Sequence, residues 1–242
     1  MNLNVVALSG GKDSTAMAVR LAEIEPRKYT YPITPTGNEL PEMEEHWKRL
    51  ERLLGKPLTR VGNHTLESLI QVQRALPSHR MRWCTRMLKI EPAIAWMAIH
   101  AQGGTLHVGL RADEEDRRGL FDSSITTDFP MRRWGWTEAD VWDYLYSRNI
   151  RIPYRTDCAW CYDQRLTQWR RLWQTNPALY WRGAAYEATT GHTFRNPARD
   201  SWPAGLAELA AEFSKGRIPR GSDDQMDLFD QLEHGRCRVC NM

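Results

Sequence analysis

The sequence lacks any apolar stretch long enough to cross a bilayer, and its first residues show no basic-then-apolar leader. These two absences predict a cytoplasmic protein without a membrane anchor. Charge of one sign is also scarce, because the net charge of the 242-residue chain is only +3. So mild an excess excludes neither a nucleotide ligand nor a nucleic-acid partner, and it demands neither.

Cysteine is scarce as well, with five residues in the chain. Because the predicted compartment is reducing and the number is odd, these cysteines indicate metal ligands or reactive thiols and argue against a disulfide framework. The 41% of hydrophobic residues suffice for a sizeable core, which excludes disorder of the whole chain.

An apolar run at the start of the chain breaks into a glycine-containing turn and then into a helical pattern. The run Val5–Leu8 suits a buried parallel strand, and apolar residues recur at a helical period over Met17–Ile24. Between them lies the turn Ser9-Gly10-Gly11-Lys12-Asp13-Ser14. Its glycines let the backbone approach a ligand, and the amides at the helix start would face negative charge. A Walker P-loop would need glycine where Val6 stands, so this is a different anion-binding turn.

Strand and helix patterns alternate after this turn. Strands are predicted at Tyr29–Thr34, Leu58–Val61 and Thr105–Leu110. Between the first two lies a helix for which Asn38 is the predicted N-cap and Gly55 the stop. Such alternation predicts an α/β fold with a doubly wound, mostly parallel sheet and flanking helices, whose ligand lies at the carboxyl ends of the strands.

Several ordered motifs resemble a known family. The turn at residues 9–14 resembles the signature of the PP-loop ATP pyrophosphatase superfamily. Thr36-Gly37 begins a Thr-Gly-x-x-x-Pro-Glu pattern, and Gly109-Leu110-Arg111 follows a predicted strand, as in the phosphoadenosine phosphosulfate (PAPS) and adenylylsulfate (APS) reductase-like family. The resemblance implies an adenine nucleotide α-hydrolase-like fold that binds ATP, APS or PAPS. Arg111 suits bidentate binding of phosphate or sulfate.

The resemblance also implies the nucleotide site. Its residues would be Ser9, Gly10, Gly11, Lys12, Asp13, Ser14, Thr36, Gly37, Gly109 and Arg111. Among them, Lys12 is the predicted catalytic cation. If ATP is the nucleotide, Mg²⁺ would accompany it.

Three cysteines form a candidate metal site. The Cys158-x-x-Cys161 spacing offers two thiolates to a metal or cluster, with a thioredoxin-type redox dithiol as the alternative. Cys84 lies just ahead of a helix predicted over Lys89–Ala101. Its segment is similar to the Cys-Cys-x-x-Arg-Lys-x-x-Pro element of APS reductases, although Trp83 replaces the first cysteine. The resemblance implies that Cys84, Cys158 and Cys161 ligate a four-iron four-sulfur (4Fe-4S) cluster.

The C-terminal cysteines leave two assignments open. The family's Glu-Cys-Gly-Ile/Leu-His tail is missing, and the chain ends in Cys237-x-x-Cys240 instead. In one assignment Cys237 is the fourth cluster ligand and Cys240 the catalytic nucleophile, although the two could exchange roles or the cluster could lack a fourth cysteine. In the other, Cys158, Cys161 and the terminal pair hold zinc, which would leave Cys84 unused.

The chain from Thr137 onward is predicted to be mainly helical. Thr137 followed by Asp140 predicts a helix start, and Leu166, Trp169 and Trp173 share one face of a later helix. Arginines between these tryptophans suggest a nucleic-acid surface as the alternative to simple packing. We predict a PP-loop domain over residues 1–162, a helical extension over 163–214 and a flexible linker with a cysteine-containing tail over 215–242.

Three functions compete. The first is reduction of APS or PAPS to sulfite with a thioredoxin-like electron donor. The second is an ATP-dependent sulfurtransferase that modifies a nucleic acid, with a cysteine desulfurase as its sulfur source. The third is a zinc-containing nucleic-acid adaptor without turnover. The sequence carries no indication of the oligomeric state.

Overall fold

The computed structural model describes residues 3–117 and 126–221. The strands are β1 (Asn4–Val6), β2 (Tyr29–Thr30), β3 (Pro32–Ile33), β4 (Thr59–Arg60), β5 (Thr105–His107) and β6 (Thr126–Asp128). The helices are α1 (Lys12–Ile24), α2 (Pro41–Leu54), α3 (Leu66–Gln73), α4 (Trp83–Thr85), α5 (Glu91–His100), α6 (Pro130–Arg133), α7 (Glu138–Ser147), α8 (Leu166–Thr175), α9 (Pro177–Thr190) and α10 (Leu206–Ser214). A π-helical turn over Arg86–Ile90 joins α4 to α5.

The strands form a parallel sheet with β1 at its centre. The order is β2-β1-β5-β6, and β3 pairs with β4 in parallel beside it. β2 and β3 are successive parts of one extended segment. If the two are counted as one strand, the strands lie in the order β4, β2/β3, β1, β5, β6, which is the doubly wound order 3-2-1-4-5 in the sequence of the chain. The direction of winding reverses between β1 and β5, and the predicted fold class is confirmed.

The segment predicted as one strand over Tyr29–Thr34 is divided at Tyr31. Pro32 has no N–H and cannot extend the ladder to β1. The segment's other edge stays paired, because the Tyr31 carbonyl accepts a hydrogen bond from the Thr59 amide at 2.9 Å. One extended segment therefore serves two neighbours.

Helices cover both faces of the sheet. Val6 packs into a core with α1, α2 and α7, whereas Val5 points to the opposite face and packs with Met97 and Ala101. Because successive side chains of a strand alternate, the all-apolar run at β1 marks a strand buried on both sides.

A second core lies beyond the sheet. Its members come from α3, from the Cys158–Cys161 turn and from the last three helices, and they include Leu66, Leu69, Trp160, Trp169, Tyr180, Phe194 and Leu206. The predicted boundary between residues 162 and 163 runs through this core. The division into three parts stays a prediction, and most of the predicted tail lies outside the described residues.

The segment around Cys84 is more helical than predicted. The helix expected over Lys89–Ala101 is found as α5, but helical structure already begins at Trp83 and passes through the π-helical turn. Pro92 cannot donate the usual backbone bond near the start of α5, which accounts for the irregular turn ahead of it. Cys84 thus lies within a helical turn.

The predicted N-cap Asn38 is wrong, because the helix begins two residues later. Leu40 occupies the N-cap, Pro41 takes the first helical position, and Gly55 ends the helix in the left-handed region as predicted. The Asn38 carbonyl instead accepts a hydrogen bond from the Ala159 amide at 2.7 Å. Within the described ranges, no helix is both long and apolar enough to cross a membrane.

Candidate active site at the sheet edge

The turn between β1 and α1 is closed by its own hydroxyls. The amides of Ser9 and Gly10 each donate to the Ser14 hydroxyl at 3.2 Å, and the Gly11 amide donates to the Ser9 hydroxyl at 3.2 Å. The Ser14 hydroxyl lies 3.0 Å from that of Ser9. The predicted anion-binding turn is therefore compact, with the positive end of the α1 dipole behind it.

Glycine is required at position 10. Its φ is +84°, in the left-handed region, and a Cβ there would overlap the Met43 side chain and lie 2.9 Å from Nε1 of Trp47. The same Trp47 nitrogen donates to the Ser9 carbonyl at 3.4 Å. Helix α2 thus supports the turn from behind.

A network of ion pairs surrounds the turn. Lys12 is fully buried, with its Nζ 2.8 Å from Asp13 and 3.4 Å from Glu138. Arg111, only 5% exposed, reaches the same two carboxylates at 3.1 and 3.9 Å and contacts Asp113 at 2.8 Å. The two cations that would bind an anion are therefore already neutralised, and a nucleotide must displace carboxylates or share the cations with them.

Topology brings Arg111 to this place. It follows β5, and β1 and β5 are the neighbours between which the winding of the sheet reverses. A Cβ on Gly109 would lie 3.4 Å from the Ser14 backbone, so this position allows close approach of the two connections. The predicted residues at positions 9–14, 109 and 111 are thus brought together.

Sequence reasoning missed Glu138 and left Asp113 uncommitted. Thr137 and Asp140 form the predicted capping box of α7, with Asp140 accepting from the Thr137 amide at 2.7 Å. Glu138 is the first residue of that helix and joins the Lys12 and Arg111 pairs. The cap could have indicated where this carboxylate lies in the chain, but not that α7 packs against α1.

The loop that carries Thr36 and Gly37 connects β3 to α2 and reaches the pocket of the cysteines. Thr36 is buried, donates to Glu39 through its amide at 2.6 Å and through its hydroxyl at 2.7 Å, and also lines the cysteine pocket. Gly37 has a φ of +71°, and a Cβ there would lie 2.6 Å from the Thr65 side chain. Thr36, which was predicted to face the nucleotide, therefore lines the pocket of the thiols.

The described cysteines converge on one small pocket. Cys84, Cys158 and Cys161 all line it, together with the apolar side chains Leu66 and Leu88. The space between them is about 20 Å³, roughly the room for one water molecule. Cys237 and Cys240 lie outside the described residues.

Two buried polar side chains hold the Cys158–Cys161 turn. Arg155 donates to the Cys158 carbonyl at 2.7 Å and to the Gln164 side chain at 2.5 Å. Gln164 in turn donates to the Ala159 carbonyl at 2.6 Å. The backbone of the turn is therefore fixed by side chains, and its thiols face the pocket.

The surroundings of Cys84 and Cys161 favour the neutral thiol. Burial raises the pKa of Cys84. A hydrogen bond with Cys158, and then burial, raise the pKa of Cys161 well above its usual value. Throughout the described ranges, no set of three or more His, Cys, Asp or Glu side chains is arranged to hold a metal ion. The three thiols are neighbours without metal-binding geometry.

Helix α8, whose tryptophans and arginines suggested a nucleic-acid surface, does not expose Trp169 to solvent. Trp169 is fully buried and packs edge-on against Tyr180, and Trp173 packs against Phe213. Among the neighbouring arginines, Arg171 lies over the Tyr154 ring at 4.1 Å. The tryptophans thus serve the core, and base stacking on Trp169 would require the helix to detach.

Comparison with known proteins identifies a family for more than half of the chain. A family model for the phosphoadenosine phosphosulfate reductase domain matches residues 3–154, more than half of the chain. Among solved structures, the chain is similar to a phosphoadenylyl-sulfate (PAPS) reductase from Candida auris in a phosphate complex, with 14% identity and a TM-score of 0.45. That match covers 62% of this chain and 74% of the reductase. No curated protein matches the sequence.

Proposed function

The chain belongs to the phosphoadenosine phosphosulfate reductase domain family, and from that premise we propose that it is a sulfur-metabolism enzyme that reduces an adenylyl sulfate, APS or PAPS, to sulfite. The observation that carries the proposal is the bond between the Ala159 amide and the Asn38 carbonyl. It ties the cysteine turn to the loop after β3, whose helix α2 supports the anion-binding turn. In this proposal, the loop after β3 and helix α2 therefore contact both the nucleotide-binding turn and the cysteine turn.

In this proposal, the residues at the sheet edge bind the nucleotide. The first amides of α1 and the α1 dipole receive the charged end, and Lys12 and Arg111 exchange a carboxylate contact for a phosphate or sulfate oxygen. Gly109 and Gly37 allow the backbone to approach, and Thr36 lies beside the thiols. Lys12 acts as the catalytic cation, because negative charge develops on the leaving phosphate oxygen.

The three cysteines of the thiol pocket are the ligand type that a thiolate-bound metal group requires, and binding such a group would have to bring their sulfur atoms into ligand geometry. We propose that Cys84, Cys158 and Cys161 hold a 4Fe-4S cluster, with Cys237 as the fourth ligand. Such a cluster would link the helical segment of Cys84 to the Cys158–Cys161 turn and would supply folding energy at the pocket. The thiols must lose their protons to ligate it, so binding should release protons. A single zinc ion is the competing occupant, and it demands less room than the cluster.

Sulfur transfer then uses a tail thiolate, for which we propose Cys240. The thiolate attacks the sulfate sulfur, an S–S bond forms, and the S–O bond to the phosphate breaks, so that AMP or its 3′-phosphate leaves with the bonding pair. A thioredoxin-like dithiol next attacks the Cys240 sulfur and releases sulfite. The dithiol becomes a disulfide and supplies both electrons.

The test supplies APS, PAPS and ATP separately to anaerobically purified protein. Sulfite release from APS or PAPS that disappears in Cys240→Ser supports the reductase, and no sulfite from either compound would refute it. Lys12→Ala should abolish nucleotide binding. Cys158→Ser should remove iron and acid-labile sulfide from the protein. One zinc ion per chain in the purified protein would instead refute the cluster and support the adaptor hypothesis.

A second function is favoured by the cations beside Cys84. Arg80 and Arg86 are exposed on either side of it, and Arg86 pairs with Glu91 at 2.9 Å. With the family's Glu-Cys-Gly tail missing, an ATP-dependent sulfurtransferase acting on a nucleic acid would use this surface. Mg²⁺ and a cysteine desulfurase would belong to that reaction. Pyrophosphate release from ATP that RNA or DNA stimulates would identify it.

A further inference from the structure

A second cleft lies away from the anion-binding turn. It has a volume of about 560 Å³ and is bounded by α2, the segment Ile152–Arg155 and α8. This volume falls within the range of small-molecule sites. None of the residues at positions 9–14, 109 or 111 lines it.

The cleft contains a buried cation that has no counter-ion among the described residues. Arg155 is 4% exposed, and its contacts are with Gln164 and the Cys158 carbonyl, both uncharged groups. Its buried Nε has no hydrogen-bond partner, and within residues 3–117 and 126–221 no carboxylate pairs with the guanidinium. A buried charge left unpaired is costly, so an anion in the cleft would relieve that cost.

Arg49 adds a second cation to the wall. It is exposed on α2, lines the cleft and forms no ion pair within the described part of the chain. With Arg171 there are three guanidinium groups, opposed by the carboxylates of Glu42 and Glu45. The resulting excess of one positive charge favours a single phosphate group over a polyphosphate.

The remaining walls suit a planar organic body. Pro41, Pro153 and Leu172 are apolar, and Asn176 supplies an amide that can bind a base edge. Over the Tyr154 ring, the Arg171 guanidinium forms a flat cationic surface of the kind on which nucleobases stack. Phosphate, apolar and stacking elements thus lie within one mononucleotide-sized space.

We propose that this cleft binds a nucleoside monophosphate unit, with the phosphate on Arg155 and Arg49 and the base beside Arg171. The site is separate from the nucleotide edge and does not rest on the proposed reaction. Through Arg155, its occupant touches the same side chain that fixes the Cys158 carbonyl. The nucleotide unit is either free or part of a single strand, since both present the same chemistry.

Photolabelling with 8-azido-AMP tests the site on the intact protein. We expect label in peptides from residues 152–155 or 166–176, identified by mass spectrometry. Arg49→Gln should weaken labelling of those peptides about tenfold, as expected for a lost charge-assisted contact. Arg151→Gln is the matched control, because Arg151 is exposed in the same segment but does not line the cleft.

The outcomes are distinct. Label confined to residues 9–14, or equal losses in Arg49→Gln and Arg151→Gln, would overturn the proposal. Label in the cleft alone would support it while counting against the nucleotide edge of the proposed function. A single-stranded oligonucleotide that displaces the label at lower concentration than AMP assigns the unit to a strand, and the reverse order assigns it to a free mononucleotide.

Discussion

The nucleotide edge and the thiol pocket are built in opposite ways. The edge consists of charged groups that neutralise one another, with Asp13 and Glu138 each shared between Lys12 and Arg111. The pocket places Cys84 and Cys161, whose pKa values are raised, beside the apolar side chains Leu66 and Leu88, with Lys89 and Asp157 also in its wall. In the proposed function, ligand binding at the edge exchanges ionic partners. At the thiol pocket, charge appears only when the cysteines lose their protons to bind the proposed metal.

This difference teaches what each region needs for function. At the edge, the backbone shape of the turn is already set by hydroxyl and amide bonds, and ligand binding must rearrange the carboxylates that pair with Lys12 and Arg111. At the pocket, only the backbone is set, by Arg155 and Gln164. Binding of the proposed metal group would therefore have to supply the energy that deprotonates the thiols and orients them.

The largest expected effect comes from Gly10→Ala, which tests whether the edge depends on close packing. The added methyl group would overlap Met43 in a residue with φ of +84°, so overpacking and backbone strain together should cost about 4 kcal/mol of unfolding free energy. Nucleotide binding should be lost with it. Urea denaturation and equilibrium dialysis measure the two effects.

Gly135→Ala is the matched control for this change. Gly135 has a similar φ of +69°, but a Cβ there meets nothing within 4 Å. Its substitution should cost only about 1 kcal/mol, the price of the left-handed backbone alone. Equal losses at both positions would show that packing against α2 is unimportant to the turn.

Most of the edge could be predicted from local patterns. The turn at residues 9–14, the capping box at Thr137 and the strand before Arg111 are each encoded by neighbouring residues. Glu138 was missed because its pair with Lys12 joins segments more than 100 residues apart, which no local periodicity records. The convergence of Cys84 with Cys158 came from family resemblance, and it depends on the second core.

Asn38 shows the limit of propensity rules. A good capping residue lay near a predicted helix start, but the proline at position 41 set the first turn and Leu40 became the N-cap. The Asn38 carbonyl accepts a hydrogen bond from the Ala159 amide of the cysteine turn, which lies over 100 residues away in the sequence. Tertiary pairing of this kind overrides a local preference worth about 1 kcal/mol.

A second prediction concerns His46, which lies behind the edge with its Nε2 3.5 Å from the Thr15 hydroxyl. Burial lowers the pKa of His46 to about 4. The unfolded chain therefore binds the proton more tightly, and stability present above pH 6.5 is lost as pH falls through 4. Between pH 7.5 and 4 the loss from this group should be about 3 kcal/mol.

The variant His46→Gln removes this titration. Its unfolding free energy should fall less steeply with acid than that of the unmodified protein, as followed by urea denaturation at a series of pH values. His192→Gln, at an exposed position, should keep the original slope. Parallel curves for His46→Gln and the unmodified protein would contradict the assignment.

The smallest effect belongs to the region behind the thiol pocket, and it has the opposite sign. Glu187 is buried and accepts the amides of Phe194 at 2.9 Å and Leu206 at 2.5 Å. Burial raises the pKa of Glu187 to about 7, even though both amides favour the carboxylate. The folded chain thus holds the proton more tightly, and stability present below pH 4.5 is lost as pH rises through 7.

Between pH 5 and 7.5 this loss should be about 2 kcal/mol, and Glu187→Gln should abolish it while lowering stability at pH 5, because one amide loses its acceptor. Glu115→Gln, at an exposed position, should leave the slope unchanged. If acid weakens the side of α1 and α2 while base weakens the side of α9 and α10, hydrogen exchange should show different amides opening first at pH 4.5 and at pH 8. Identical opening orders at both pH values would mean that the two cores unfold as one unit, and the contrast between the regions would then be confined to their chemistry.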